Sequence, residues 1–261
     1  MSVNKMNLRA YITIDLEQDF GGWVPLNYSA WQEEKIVAFL TILKAYNAPL
    51  TAFVVARALR EQKKKINRFI AYKTEFHLHS YSHDRKNPDS LSEITKGLKA
   101  YKDFFGKRPI GYRAPEGRIS TEGLQRLSKK GFVFDASVFP SFWPHVRYLR
   151  FGREPHKLAN GILEIPFTTI TPFRLIFSLS WVKLLGWPLY RRILSVSRLP
   201  TIIIFNVHLH DLWPVPTSSQ LPFLWRCMYS RNANNGFVIF ENVLRFLQQK
   251  GYDFSTVGKI L

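Results

Sequence analysis

Three of the chain's seven histidines fall within FHLHSYSHDR (76–85), at His77, His79 and His83. Two more, His208 and His210, stand just ahead of Asp211. Carboxylates gather in DLEQD as Asp15, Glu17 and Asp19; Arg113 opens RAPEG, and Asp135 lies in FDASVFP. Imidazoles and carboxylates together can hold a divalent cation or move protons. His79 and His83, four apart, would share a face on one helical turn, and two imidazoles placed so can hold one ion. A catalytic metal site takes three protein ligands and keeps one position for water. The third ligand should come from another strand, and DLEQD offers candidates. His77, which alternates with His79 along the strand, is expected to point elsewhere or to pack beside the site and is not counted as a ligand. A lone carboxylate after a strand is more often a turn cap, and a lone histidine more often structural. Only the grouping argues for chemistry.

Such residues need a scaffold that gathers them. Apolar runs alternate with stretches of helical spacing along the chain. Strands are expected in LRAYITI (8–14), LTAFVVA (50–56), TEFHLHS (74–80), IGY (110–112), FVF (132–134), GILEIPF (161–167) and TIIIFNV (201–207). Helices are expected at 29–47 with Ser29 as N-cap, at 57–72, at 90–105 behind Ser90 or Ser92, at 121–130 and at 237–249. The alternation predicts an α/β fold with a parallel sheet and helices outside it. In that architecture functional residues collect at the carboxyl ends of strands. Five such ends carry the groups named above, too many to explain as caps.

In order, ITIDLEQD (12–19), HSYSH (79–83), RAPEG (113–117), FDASVFP (134–140) and IIIFNVHLHD (202–211) resemble the polysaccharide deacetylase family with NodB homology. The resemblance spans most of the chain. It implies a distorted (β/α) barrel of about seven strands and a metal-dependent hydrolase that removes N- or O-acetyl groups from sugars. It implies a divalent metal, zinc foremost, with His79 and His83 as ligands. Asp15 would be the general base, Arg113 would orient it in a forked ion pair, and Asp135 would be the partner of the acid. A histidine after the last buried strand would be that acid, with His208 preferred to His210. The family's usual opening has two adjacent aspartates, the second a ligand, whereas here Leu16 follows Asp15. Strand alternation puts Asp15 and Glu17 on one face, so Glu17 is the preferred third ligand, with Asp19 second. A backbone N–H after Arg113 would join the metal in stabilising the oxyanion, and Glu116 is expected at the pocket rim or in solvent.

Composition bounds the rest. The chain has 261 residues, 46% hydrophobic and 15% aromatic, enough for a large core read here as a single domain. A net charge of +18 and a pI near 10.1 suggest an anionic partner. No nucleic-acid-binding motif accompanies that charge, so no nucleic acid is expected. The aromatic, basic stretch 168–197 reads either as a membrane-facing insertion or as a barrel-covering helix. The single cysteine, Cys227, excludes an intrachain disulfide and a Cys-rich zinc site. No leader and no spanning helix are expected, so the reading is cytoplasmic, with peripheral contact at an anionic inner membrane face. The substrate would be a carbohydrate, lipid- or nucleotide-linked before export. The rivals are a catalytically inactive barrel that binds polyanions or carbohydrates, and a deformylase or amidohydrolase on the same scaffold. The oligomeric state is left open.

Overall fold

The computed structural model describes residues 8–142, 146–170 and 172–261. Residues 1–7, part of the segment behind the leader reading, lie outside the described residues. The chain runs β1 (Arg9–Leu16), α1 (Glu33–Ala45), β2 (Leu50–Val54), α2 (Ala56–Glu61), α3 (Lys63–Ala71), β3 (Glu75–Leu78), α4 (Leu91–Phe105) and β4 (Gly111–Tyr112). It continues through α5 (Thr121–Lys129), β5 (Phe134–Asp135), β6 (His156–Lys157), β7 (Leu163–Glu164), β8 (Thr169–Ile170), β9 (Leu175–Ile176), α6 (Leu179–Leu185) and α7 (Trp187–Val196). The last elements are β10 (Ile202–His208), α8 (Leu209–Leu212), α9 (Phe223–Ser230), α10 (Gly236–Gln249) and β11 (Asp253–Ser255).

Seven strands, in the order β10-β1-β2-β3-β4-β5-β7, form one parallel sheet. β6 adds antiparallel to β7, and β11 takes the first residues of the β1 edge that β2 takes further on. The sheet curls into a half-barrel. Across the gap, Ile204 N–H donates to Thr168 Oγ1 at 2.8 Å, and Ser178 bridges Asn206. The expected distorted barrel and its seven strands are what the chain forms.

Alternation along the two central strands sorts their side chains. Ala10, Ile12, Ile14 and Leu16 of β1, with Ile203, Phe205 and Val207 of β10, pack outward under the helices. Tyr11 and Ile204 enter a small inner cluster with Phe53 and Phe134 at the barrel floor. Thr13 and Asp15 continue that inner face toward the carboxyl end, opposite Asn206 and His208.

Local chemistry corrects several expected elements. The helix expected at 29–47 starts at Glu33, because Ser29 and Ala30 N–H donate to the Asp19 carboxylate and hold residues 29–32 out of helix. The stretch 57–72 breaks at Gln62 into α2 and α3. α4 does begin behind Ser90, whose hydroxyl accepts from Glu93 N–H. The stretch 168–197 is a hairpin of β8 and β9 followed by α6 and α7, which part at Gly186 before Pro188. Leu179, Val182, Tyr190 and Leu194 bury the inner faces of these helices in the core. The stretch is thus a hairpin and two short helices rather than one continuous helix.

Candidate active site

The polar strand ends meet in a cleft of about 190 Å³ lined by Asp15, Glu17, His79, His83, Arg113, Asn206 and His208 among others. Glu17 Oε2 lies 3.3 Å from His79 Nε2 and 2.7 Å from His83 Nε2. One ligand atom from each residue falls within 4.8 Å of the others, and all three residues are buried.

The donor set fits a divalent cation. His79 Nδ1 donates to the Arg113 carbonyl at 2.8 Å, which fixes the tautomer and leaves Nε2 with a lone pair turned to Glu17. Burial opposes the Glu17 charge, yet the facing imidazoles win and hold its carboxyl well below the usual range.

HSYSH is not a helical turn. Ser80 and His83 both take positive φ, and the loop is held from outside by Glu93. That carboxylate accepts the Tyr81 and Ser82 N–H groups and the Ser82 hydroxyl. His83 N–H closes the loop on Ser80 Oγ. The two imidazoles converge through this loop rather than through helical spacing. Gly21 completes the wall: at φ +59 a Cβ there would stand 2.9 Å from His83 Cε1. His77 sits a layer lower on the same inner face, between the Phe53 and Phe134 rings.

Asp15 faces this cluster from β1. Arg113 Nη1 donates to Asp15 Oδ1 at 2.7 Å, and Asn206 Nδ2 to Oδ2 at 3.1 Å. The expected fork is absent, because the same Nη1 also serves Asn206 Oδ1 and Thr13 Oγ1. The guanidinium lies between the rings of Phe53 and Phe167, 3.9 and 4.4 Å from their centroids. Burial works against the Asp15 charge; Arg113, with help from His79 and His208, overrides it and holds the carboxyl far below its ordinary range.

Opposite Asp15 in register stands His208. Its Nε2 is 3.4 Å from Asp15 Oδ2, and its Nδ1 is 2.9 Å from Asp211 Oδ2. Burial disfavours the imidazolium, but the bonds to Asp15 and Asp211 outweigh it and raise His208 well above the usual imidazole range. His210 stacks on His208 and is enclosed by Phe20 and Tyr229. Burial first, then the neighbouring His208, pushes it down to about 3. Of the two histidines, His208 alone lines the cleft.

Asp135 occupies a place other than the one expected. It accepts the Ser137 hydroxyl and N–H and neighbours Glu164, while the carboxylate on His208 is Asp211. Asp211 is itself fixed by the Ser180 hydroxyl, with Lys183 Nζ 3.9 Å away. The Ala114 N–H, expected for an oxyanion, donates to Ser137 Oγ at 2.7 Å. Asp19 is tied to Ser29, Ala30 and Thr217 Oγ1, away from the histidines. Glu116 stands at the rim, paired with Arg85 and Arg118. Asn206 and Thr13 were not singled out from the sequence, although Asn206 is the one polar residue in IIIFNV (202–207) and sits two before His208.

The Asp135–Glu164 pair makes a pH prediction. Burial first, then each carboxyl's closeness to the other, raises Glu164 well above its ordinary value; burial brings Asp135 to about 6. Between about pH 4 and that value the folded chain binds more protons than the unfolded one. Stability therefore falls as pH rises through this window. Glu164→Gln keeps an acceptor for Val138 N–H and removes one charge. The variant should lose less stability than wild type between pH 5 and pH 8. Urea midpoints at the two pH values measure this, and equal losses would refute the account.

The polysaccharide deacetylase family model matches residues 17–134. A peptidoglycan deacetylase of Helicobacter pylori is 29% identical over 137 residues, half of this chain and 45% of that relative. The chain thus spans less than half the length of this curated relative. Among solved structures, an allantoinase superposes with a TM-score of 0.62 at 15% identity, covering 99% of this chain and 90% of its own. A CE4-family pseudoenzyme of Bacillus anthracis superposes at 0.56 and 13%, covering 97% and 65%. These likenesses show the fold. Since an allantoinase and a pseudoenzyme share it, activity has to be argued from the residues of the site.

Proposed function

We propose that this chain, whose residues 17–134 match the polysaccharide deacetylase family model, hydrolyses an acyl group from a sugar, an N-acetyl group on a surface-glycan precursor foremost. One observation carries the reading. Asp15 and His208 face each other across the β1–β10 register, beside the Glu17–His79–His83 cluster, in one cleft.

A divalent cation, zinc foremost, held by Glu17, His79 and His83 would polarise the acyl carbonyl and acidify water in the cleft. The remaining steps fall to side chains. Asp15, kept ionised by Arg113, takes the proton of the attacking water. Arg113 and Asn206 hold its two oxygens, so its reach is set before substrate arrives. His208, kept protonated by Asp211 and Asp15, gives a proton to the leaving nitrogen as the acyl bond breaks. Acetate and a free amino sugar result. Trp23, Trp181 and Trp225 on the cleft wall supply flat faces on which a sugar ring can stack.

The test is acetate release from N-acetylated oligosaccharides and from peptidoglycan fragments, with divalent ions added back. Release abolished by a chelator is expected. Binding of these sugars without release would favour the inactive-barrel reading. Turnover of a formamide or cyclic amide alone would move the chain to the amidohydrolase reading.

A further inference from the structure

Between Glu164 and Glu241 the sequence holds seven basic residues and a single acidic one, Asp211. Asp211 is fully buried against Ser180 and His208, so no acid in this stretch reaches solvent. The same stretch builds one side of the cleft: Ile176, Trp181, Trp225, Met228 and Tyr229 line it. It also presents large apolar side chains to water. α9 has no buried residue, and Phe223 and Leu224 at its start are 68% and 78% exposed. At the turn of the β8–β9 hairpin, Phe173 is 81% exposed. Phe142, also exposed, follows Ser141, whose hydroxyl donates to the Arg174 carbonyl in that turn. Arg226, exposed on α9, lies over the Phe223 ring, and Arg231 is exposed at the helix end.

Single exposed apolar residues are ordinary on any surface. Here they lie on two segments that border one opening, they are interleaved with arginines, and neither segment carries an acid of its own. Apolar and aromatic side chains beside cations, on segments without a carboxylate of their own, match the chemistry of an anionic lipid surface. Among the described residues no helix is long and apolar enough to cross a membrane, so the contact in question is one of surface docking.

We propose that α9 and the β8–β9 turn form a docking collar for an anionic bilayer. Phe223, Leu224 and Phe173 enter the headgroup layer, and Arg226 and Arg231 meet lipid phosphates. The cleft then opens at the membrane surface, and the acylated sugar it takes is carried on a lipid. Only this last step rests on the deacylase reading; the docking stands without it.

Co-sedimentation tests the collar. The purified chain is spun with phosphatidylglycerol–phosphatidylethanolamine vesicles and with phosphatidylcholine vesicles. Wild type is expected on the anionic vesicles and not on the neutral ones. The double variant Phe223→Ser with Leu224→Ser, whose side chains face water, should partition about tenfold more weakly and release acetate from a soluble oligosaccharide as wild type does. Wild type free in solution beside anionic vesicles overturns the collar, and so does a double variant that binds as well as wild type. Docking with no deacylation of any sugar would leave the collar standing and sink the enzymatic reading. Deacylation without docking would do the reverse.

Discussion

Asp15→Asn is expected to slow acetate release by roughly 10²–10⁴-fold, the span that a positioned general base contributes, while metal content stays at the wild-type level. Asparagine keeps the shape and can still meet Arg113 and Asn206, yet it cannot take a proton. The change also strips the buried guanidinium of its counter-charge, and breaking a buried pair from one side costs about 3–5 kcal/mol. A melting curve must therefore accompany the kinetics, so that a folded but slow enzyme is distinguished from an unfolded one. His208→Ala should fall into the same range. His210→Ala should cost far less, because His210 stacks behind His208 and is absent from the cleft wall. A slow His210 variant beside an active His208 variant would exchange their roles. The alkaline limb of the rate profile adds a check. Asp211→Asn removes a group that holds His208 protonated, so that limb should move to lower pH.

The seven-strand sheet was readable because its strands are apolar runs closed by polar ends. Parallel strands buried on both faces carry that signature. Alternation along β1 (Arg9–Leu16), carried one residue past its end, sets Asp15 and Glu17 on one face. The same rule, applied to IIIFNVH, would have put Asn206 beside His208 and in reach of Asp15. What the sequence could not convey was set by distant partners. HSYSH looks helical by spacing, but Glu93, ten residues beyond His83, claims its backbone N–H groups and bends it into a loop. Ser29 looks like a cap, but Asp19 holds its N–H. Arg113 looks ready to fork onto Asp15, but Asn206 and Thr13 share the same nitrogen. Asp135 followed the family's order of motifs, while the β5–β7 register sets it opposite Glu164, and Asp211 bonds His208 instead. Each departure is a competition among hydrogen-bond donors and acceptors, and its winner is known only once the strands are side by side.

The metal prediction separates Glu17 from Asp19. Wild type should carry about one divalent ion per chain, the stoichiometry of a three-ligand site, and elemental analysis of the purified protein measures it. His79→Ala should lose the ion, since it removes a nitrogen whose tautomer is already fixed by the Arg113 carbonyl. Glu17→Ala should lose it too: Glu17 Oε2 is the one carboxylate oxygen within reach of both imidazoles among the described residues, and without it two neutral nitrogens would have to hold a doubly charged ion. Asp19→Ala should keep the ion and instead lower stability by about 1–3 kcal/mol, because the buried N–H of Ala30 and hydroxyl of Thr217 lose their acceptor. An ion retained by Glu17→Ala and lost from Asp19→Ala would transfer the third position to Asp19. That outcome would require the 18–30 segment to rearrange on metal binding. A wild-type chain that takes up no divalent ion on reconstitution would leave the facing Asp15 and His208 without an electrophile for an amide, and the hydrolase reading would give way to a barrel that only binds.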